Sequence, residues 1–147
     1  MLQPFDDNYY MKKAFEQASL AMEKNEIPVG AILVSNNQII AQAHNQTELL
    51  KDATAHAEML CITAGMENIG AKYLQDCVLY VTLEPCSMCA GAIQHSHVKK
   101  IVFGAFDSKN GFTNYTPSLV SKKVEVIGGI MEKECSQIIK SFFDSKR

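Results

Sequence analysis

The chain has 147 residues, of which 47% are hydrophobic, and a formal net charge of -2. This length suits one domain with one core, so we expect residues 1–147 to form a single domain. Residues 1–7 carry Asp6 and Asp7 but no basic stretch before an apolar run, and no segment approaches transmembrane length. We therefore expect a cytoplasmic protein with no membrane association.

The small net charge hides a difference between the two parts of the chain. Up to Ser96 there are five Lys against eleven acidic residues, which gives -6. From His97 onward, eight Lys and one Arg oppose five acidic residues, which gives +4. The basic excess is compatible with an anionic partner near the C-terminal part and equally with a solvated mixed surface.

Hydrophobic spacing in the first part of the chain predicts a helix and a hairpin. Residues 8–24 carry an apolar stripe at i, i+3/i+4 and i+7, which is typical of an amphipathic helix. Residues 29–34 and 38–43 are apolar runs that flank the polar sequence Ser35-Asn36-Asn37. This arrangement predicts an antiparallel pair of strands.

A polar loop and a second helix follow. Residues 44–54 lack a hydrophobic period and predict a loop. Apolar residues then recur at helical spacing over residues 55–69. They predict a helix that starts near His56, with Thr54 as the candidate N-cap and Gly70 as the stop.

The remaining elements predict a layered α/β domain. A strand, a helix and a strand in succession imply a right-handed parallel crossover. With the hairpin and one further strand they give a mixed sheet of about five strands between helices, a three-layer α-β-α fold. The predicted segments are a strand at 77–82, a helix from Cys86 through about His95, a strand at 99–104, a turn-rich stretch at 105–121, a strand at 124–127 and a helix at 131–142.

Five cysteines argue against a disulfide framework, because the number is odd and no export signal precedes them. Cys61, Cys77 and Cys135 lie in apolar patterns, where a free cysteine behaves as a small hydrophobic residue. We expect these three to be buried. Cys86 and Cys89 have the Cys-x-x-Cys spacing with which two thiolates reach one metal ion from a single turn.

An upstream His-x-Glu sequence completes a candidate metal site. His56 would be a third ligand beside Cys86 and Cys89, which leaves the fourth position of a zinc ion for water. Glu58 is the candidate proton carrier. Since residues two apart point to different sides within a helix, His56 and Glu58 can cooperate only at a helix end.

A closed structural zinc site is the alternative. His95, His97 or Cys61 would then supply a fourth ligand. This alternative leaves the carboxylate beside the ligand histidine without a role, so we favour the catalytic arrangement.

The sequences Thr54-Ala55-His56-Ala57-Glu58 and Glu84-Pro85-Cys86-x-x-Cys89 resemble the zinc-dependent cytidine and deoxycytidylate deaminase superfamily. Within it, nearly the whole chain is similar to the bacterial tRNA-specific adenosine deaminases. The further matching segments are Ile27-Pro28-Val29-Gly30-Ala31, His44-Asn45, Leu79 to Cys86, Met88 to Ala92, Val102-Phe103-Gly104-Ala105 and Phe142-Phe143.

This resemblance implies hydrolytic deamination of adenosine to inosine at the wobble position of a tRNA anticodon. It implies a cytidine deaminase-like homodimer with one zinc per subunit, in which zinc-bound hydroxide attacks and Glu58 shuttles the proton. Asn45 would hold the nucleoside, Pro28 and Val29 would line the base pocket, and backbone N–H groups near Glu84 and Cys86 would hold the reacting water. By the same resemblance, the anticodon loop would contact Asp107 and Lys109.

The chain departs from that family after Gly111. Where the relatives tend to have small residues and a longer segment with a short helix, this chain has Phe112-Thr113-Asn114-Tyr115-Thr116-Pro117 and reaches its last strand sooner. The direction of that strand is therefore open. Phe112 and Tyr115 would either stack on bases or pack the loop against the core.

Two other functions stay open from the sequence. One is a deaminase of a free base or nucleotide, of the guanine or cytosine type, and the other is a zinc module without enzymatic activity. Glu58 and the three-ligand count argue against the second. The basic C-terminal part favours an RNA substrate over a small molecule.

Overall fold

The computed structural model of the chain describes residues 5–147. Residues 1–4, on which part of the predicted absence of an export signal rests, lie outside this range. Among the residues described, no helix combines the length and the apolar character needed to cross a membrane. The elements are α1 (Asp7–Glu23), β1 (Gly30–Ser35), β2 (Gln38–His44), α2 (Ala57–Ile69), β3 (Cys77–Leu83), α3 (Ser87–Ser96), β4 (Lys100–Ala105), a 3-10 turn (Phe112–Asn114), β5 (Glu125–Gly128) and α4 (Glu132–Asp144).

The five strands form one mixed sheet in the order β2-β1-β3-β4-β5. β1 pairs antiparallel with both β2 and β3, whereas the β3–β4 and β4–β5 pairs are parallel. The hairpin and the parallel β3-α3-β4 crossover are confirmed. The last strand, whose direction was open, runs parallel to β4.

Helices cover both faces of the sheet, so the three-layer arrangement is confirmed. Because successive side chains of a strand point to opposite faces, β3 contributes to both cores. Leu79 and Val81 pack with residues of α2 and α3 on one face. Tyr80 packs with Tyr10 of α1 and Cys135 of α4 on the other.

The predicted start of α2 near His56 is confirmed, but the predicted N-cap residue is wrong. His56, not Thr54, is the N-cap residue, with φ -73° and ψ 152°, and the helix begins at Ala57. Thr54 instead bonds to Asp52, both through its N–H (2.8 Å) and through its hydroxyl (2.7 Å). Its preference for local hydrogen bonds is satisfied within the loop, so it is not free to cap the helix. The predicted stop is confirmed, since Gly70 is the C-cap with φ 67°.

The three cysteines expected to be buried are buried. Cys61 and Cys77 belong to the core under α2 and α3, and Cys135 belongs to the core under α1 and α4. Burial raises the pKa of each thiol, which keeps it protonated.

The strand directions bring several chain segments to one edge of the sheet. Because β1 is antiparallel to β2 and β3, its amino end at Gly30 lies beside His44 at the end of β2 and near the end of β3. The carboxyl ends of β3 and β4 meet there as well, where Leu83 pairs with Ala105. Ligands of α/β sheets favour the carboxyl ends of parallel strands, and the candidate site lies at this edge.

Candidate active site

Three side chains from two helix starts converge at this edge. His56 is the N-cap of α2, Cys86 is the N-cap of α3, and Cys89 lies in the first turn of α3. The Nδ1 atom of His56 lies 3.6 Å from the sulfur of Cys86 and 3.6 Å from the sulfur of Cys89. The predicted ligands are thus brought together, and the helix end gives His56 and Glu58 the shared location that their spacing requires.

This cluster fits a zinc ion. Zn–S bonds of about 2.3 Å and Zn–N bonds of about 2.0–2.1 Å at a tetrahedral angle separate nitrogen from sulfur by about 3.6 Å. The protein has that separation between the donor atoms of His56 and both cysteines. One imidazole and two thiols are also ligands that zinc prefers.

The electrostatic environment favours a thiolate in the cluster. A hydrogen bond from the Cys89 thiol lowers the pKa of Cys86 to about 4. The same hydrogen bond, followed by burial, raises the pKa of Cys89. The hydrogen bond with Cys86 raises the pKa of His56. Helix N-termini add positive potential at the sulfurs, so α2 and α3 both support negative charge there.

The proposed fourth ligands do not join the cluster. Within residues 5–147, the group that could hold a metal contains His56, Cys86 and Cys89 and no further His, Cys, Asp or Glu. His95 and His97 are exposed, and the ring of His97 lies 4.4 Å from that of Tyr73. Cys61 lies in the core. A three-ligand site is the arrangement that leaves a position for water or substrate.

Glu58 lies beside the cluster in the first turn of α2, with only 4% of its surface exposed. Burial raises the pKa of its carboxyl to about 7. A carboxyl group with such a pKa accepts and releases a proton near neutral pH, which is the property of a general acid and base.

A cavity of about 620 Å³ opens at the cluster. Of the residues predicted to bind substrate, Val29, Asn45, Glu84, Asp107 and Lys109 line it together with His56, Glu58 and Cys86. Pro28 is buried and is not among the lining residues, while its neighbour Ile27 is.

Asn45 connects the cavity to the start of α2. Its Oδ1 atom accepts a hydrogen bond of 2.7 Å from the N–H of Ala57, the first residue of the helix. The amide is thereby fixed with its oxygen occupied, so its NH₂ group is the part that remains to donate to a ligand.

Glu84 holds the loop that follows β4. Its buried carboxylate accepts hydrogen bonds from the N–H of Asp107 (2.9 Å), the N–H of Thr113 (2.9 Å) and the hydroxyl of Thr113 (2.6 Å). A Cβ atom on Gly111 would overlap this carboxylate, which explains why the residue is a glycine.

The backbone of Glu84 and Pro85 offers no unpaired N–H group. The N–H of Glu84 donates to the carbonyl of Ala105 (2.8 Å), and Pro85 has no N–H. The role predicted for backbone N–H groups in this stretch would therefore fall to Cys86 and the residues after it.

Asp107 organises the turn within that loop. Its carboxylate accepts hydrogen bonds of 3.0 Å from the N–H groups of Lys109 and Asn110.

Phe112 packs against Phe103 and is 2% exposed, whereas Tyr115 is 45% exposed and lines the cavity. The two aromatic residues of the divergent segment thus separate, one into the core and one toward the site.

Sequence reasoning missed part of the cavity wall. Phe106 directly follows a parallel strand, which is a signal that could have identified it. Ile139 and Phe143 reach the cavity from α4, and their spacing of four residues indicated only an apolar helix face. Their position over the site depends on how α4 packs across the sheet.

A mixed five-stranded sheet between two helical layers, with a His-Cys-Cys cluster at the strand ends, defines the cytidine deaminase-like class. The profile of the MafB19-like deaminase family matches residues 5–147. The chain is 45% identical to the tRNA-specific adenosine deaminase of Bacillus subtilis over 146 residues, covering 96% of this chain and 91% of that one. It therefore belongs to the MafB19-like deaminases and shares its family with the bacterial tRNA-specific adenosine deaminases.

Two solved structures of deaminases are similar to this chain in both sequence and fold. A chain from work on A-to-I editing by tRNA:A34 deaminases at the wobble position of transfer RNA superimposes with a TM-score of 0.81 at 36% identity, covering 88% of this chain and 98% of that one. The guanine deaminase of Bacillus subtilis gives a TM-score of 0.67 at 35% identity, covering 69% and 66%.

Proposed function

We propose that the protein hydrolyses adenosine to inosine at the wobble position of a tRNA anticodon. The observation that carries this proposal is the convergence of His56, Cys86 and Cys89 with the buried Glu58 at one cavity, in a chain that resembles the tRNA-specific adenosine deaminases over its length. In the reaction, a water oxygen bonds to C6 of the purine, the bond from C6 to the exocyclic nitrogen breaks, and ammonia leaves.

His56, Cys86 and Cys89 would hold one zinc ion per subunit. When bound, zinc supplies Lewis acidity that lowers the pKa of a water in the open position to about 7. The donor distances and the donor chemistry support this assignment. Cys86 lines the cavity while Cys89 is buried behind it, so the cluster forms part of the floor.

Glu58 is the proposed catalytic acid and base. It would take the proton from the attacking water and deliver it to the leaving nitrogen, so that the departing group is neutral ammonia. Its burial excludes bulk solvent from this transfer.

Asn45 and Val29 are the proposed contacts to the target nucleoside. The NH₂ group of Asn45 would donate to an acceptor of the nucleoside, and Val29 would pack against the base with Pro28 behind it. A nucleotide in a single-stranded loop is unstacked at low cost, which suits a base that must enter a closed cavity.

The RNA strand itself would be held at the loop after β4. Lys109 would contact a phosphate, and Asp107 would set the turn that presents it. Phosphate contacts of this kind position the RNA without selecting its sequence. Lysine predominates among the charged residues of the C-terminal part, which supports an anionic partner. We expect the protein to bind this partner in the cytoplasm.

We also propose a homodimer. Leu49 and Leu50, on the loop before α2, are 67% and 49% exposed, and exposed apolar groups of this kind favour association. Light scattering should give twice the chain mass of 16.3 kDa. A monomeric mass at working concentrations would contradict this assignment.

The test of the function uses purified zinc-loaded protein and three substrates. A tRNA with adenosine at the wobble position, guanine and cytidine are incubated separately, and inosine, xanthine, uridine and ammonia are measured. We expect inosine and an equal amount of ammonia from the tRNA alone. The 35% identity with a guanine deaminase makes guanine the strongest competing substrate, and deamination of guanine alone would refute the RNA assignment.

A further inference from the structure

Two aromatic side chains of the loop after β4 stand exposed at the rim of the cavity. Phe106 is 54% exposed and Tyr115 is 45% exposed, and both line the same cavity as His56 and Glu58. Phe112 lies between them in sequence and is 2% exposed. The loop therefore packs one aromatic ring into the core and leaves two exposed. The exposure of Phe106 and Tyr115 is thus not the result of a loosely packed loop.

The loop that carries these rings is held in place. Besides the three hydrogen bonds to Glu84, the amide of Asn114 donates to the carbonyl of Asp107 (2.9 Å), and the N–H of Phe112 donates to Pro85 (2.9 Å). The ring of Phe106 also contacts that of Phe103 edge-on, at 4.9 Å and 86°. A loop held in this way loses little backbone freedom when its side chains bind a ligand.

The cavity is larger than one base requires. Its volume of about 620 Å³ lies within the range of about 300–1,000 Å³ that holds drug-sized ligands. His56 and Glu58, which are proposed to carry the chemistry, lie at the floor of the cavity. Phe106, Lys109 and Tyr115 line the side formed by the loop after β4. Proteins that bind single-stranded nucleic acids combine aromatic rings, on which the bases stack, with positive charge that binds the backbone.

We propose that Tyr115, assisted by Phe106, forms a stacking subsite for a nucleobase adjacent to the reacting adenosine in the same RNA strand. The proposal rests on the proposed function. Its ligand class is a single-stranded RNA nucleotide whose base stacks on the Tyr115 ring and whose phosphate is near Lys109. The subsite accepts any base, because every base has a face to stack.

The test compares an anticodon stem-loop RNA with two forms that carry an abasic residue immediately 5′ or immediately 3′ of the target adenosine. Inosine formation gives kcat and KM for the wild type, Tyr115→Ala and Tyr115→Phe. We expect Tyr115→Ala to raise KM for the intact RNA by roughly 5- to 150-fold, the range of base–aromatic stacking. Tyr115→Phe keeps the ring and should behave as the wild type. The kcat values should change little.

The abasic substrates identify the partner of the ring. One of the two should raise KM for the wild type as much as Tyr115→Ala does, and should have little additional effect in that variant. Tyr73→Ala is the matched control, because Tyr73 is 42% exposed and is not among the cavity-lining residues. Zinc content and melting temperature verify that each variant is folded, and Phe106→Leu provides a second variant with a smaller expected effect.

Three outcomes overturn the subsite. These are an unchanged KM in Tyr115→Ala, equal losses in Tyr115→Ala and Tyr115→Phe, and abasic effects that add to the loss of the ring. Absence of inosine from every RNA with the wild type would refute the proposed function, and the subsite with it.

Discussion

The floor of the cavity and its rim are built in different ways. At the floor, His56, Cys86 and Cys89 occupy fixed positions at the starts of two helices. At the rim, residues 106–115 contain a single short 3-10 turn and are held by hydrogen bonds between side chains and backbone, above all those of Glu84. Regular elements fix the reacting groups, whereas the loop can change its outward side chains without moving the floor.

Glu84 connects the two regions. It lies two residues before Cys86 in sequence, yet within residues 5–147 its carboxylate bonds only to the rim. A change at the floor should therefore abolish the metal site or the chemistry, and a change at Glu84 should alter RNA binding with the metal retained.

The largest effect is expected from Cys86→Ala. Removing one of three ligands should reduce zinc content from one ion per chain toward zero and abolish deamination, as measured by metal analysis and inosine formation. Cys135→Ala is the control, since it removes a buried thiol from the opposite core and should leave zinc bound. Stoichiometric zinc in Cys86→Ala would contradict the ligand assignment.

Glu58→Ala should separate metal binding from chemistry. We expect zinc content to remain at one per chain while kcat falls by about 10² to 10⁴-fold, the usual contribution of general acid and base catalysis. Glu58→Gln, which keeps the shape of the side chain, should lose as much activity. Glu67→Gln, on the exposed part of the same helix, is the matched control. Near-normal turnover by either Glu58 variant would rule out this residue as the proton carrier.

Glu84→Gln tests the rim and should have the smallest effect. The carboxylate of Glu84 accepts hydrogen bonds from two N–H groups and a hydroxyl, and the NH₂ group of a glutamine would face at least one of these donors. Because that hydrogen bond is lost, we expect a loss of about 1–3 kcal/mol in the free energy of unfolding. KM for the RNA should rise, while zinc content stays at one and kcat changes little. Urea unfolding, metal analysis and steady-state kinetics provide these measurements.

Glu23→Gln is the control for Glu84→Gln, because it removes the same charge from an exposed site on α1. A loss of zinc or of kcat with an unchanged KM would show that Glu84 acts on the floor instead.

The comparison also explains which predictions succeeded. The helix and strand types follow from hydrophobic periodicity, because each helix buries one face against the sheet and the central strands β1, β3 and β4 bury both faces. The proximity of His56, Cys86 and Cys89 follows from the His-x-Glu and Cys-x-x-Cys spacings, which place these residues at the starts of two helices; their role as zinc ligands stays a prediction. The N-cap of α2 was predicted incorrectly at Thr54, since Thr54 bonds to Asp52 within the loop and the first N–H of the helix bonds to Asn45, twelve residues away.

The sequence by itself predicted the elements and the residues that the structure brings together at the cavity, His56, Glu58, Cys86 and Cys89, because these depend on spacings within a turn of helix or a strand. Only the tertiary structure decided the direction of β5, the role of Glu84 and the opposite fates of Phe112 and Tyr115. The first two depend on hydrogen bonds between segments more than twenty residues apart in sequence, as in the bond between Glu84 and Asp107. The third depends on packing across the folded loop, as in the contact of Phe112 with Phe103. A one-dimensional period carries no signal for such contacts.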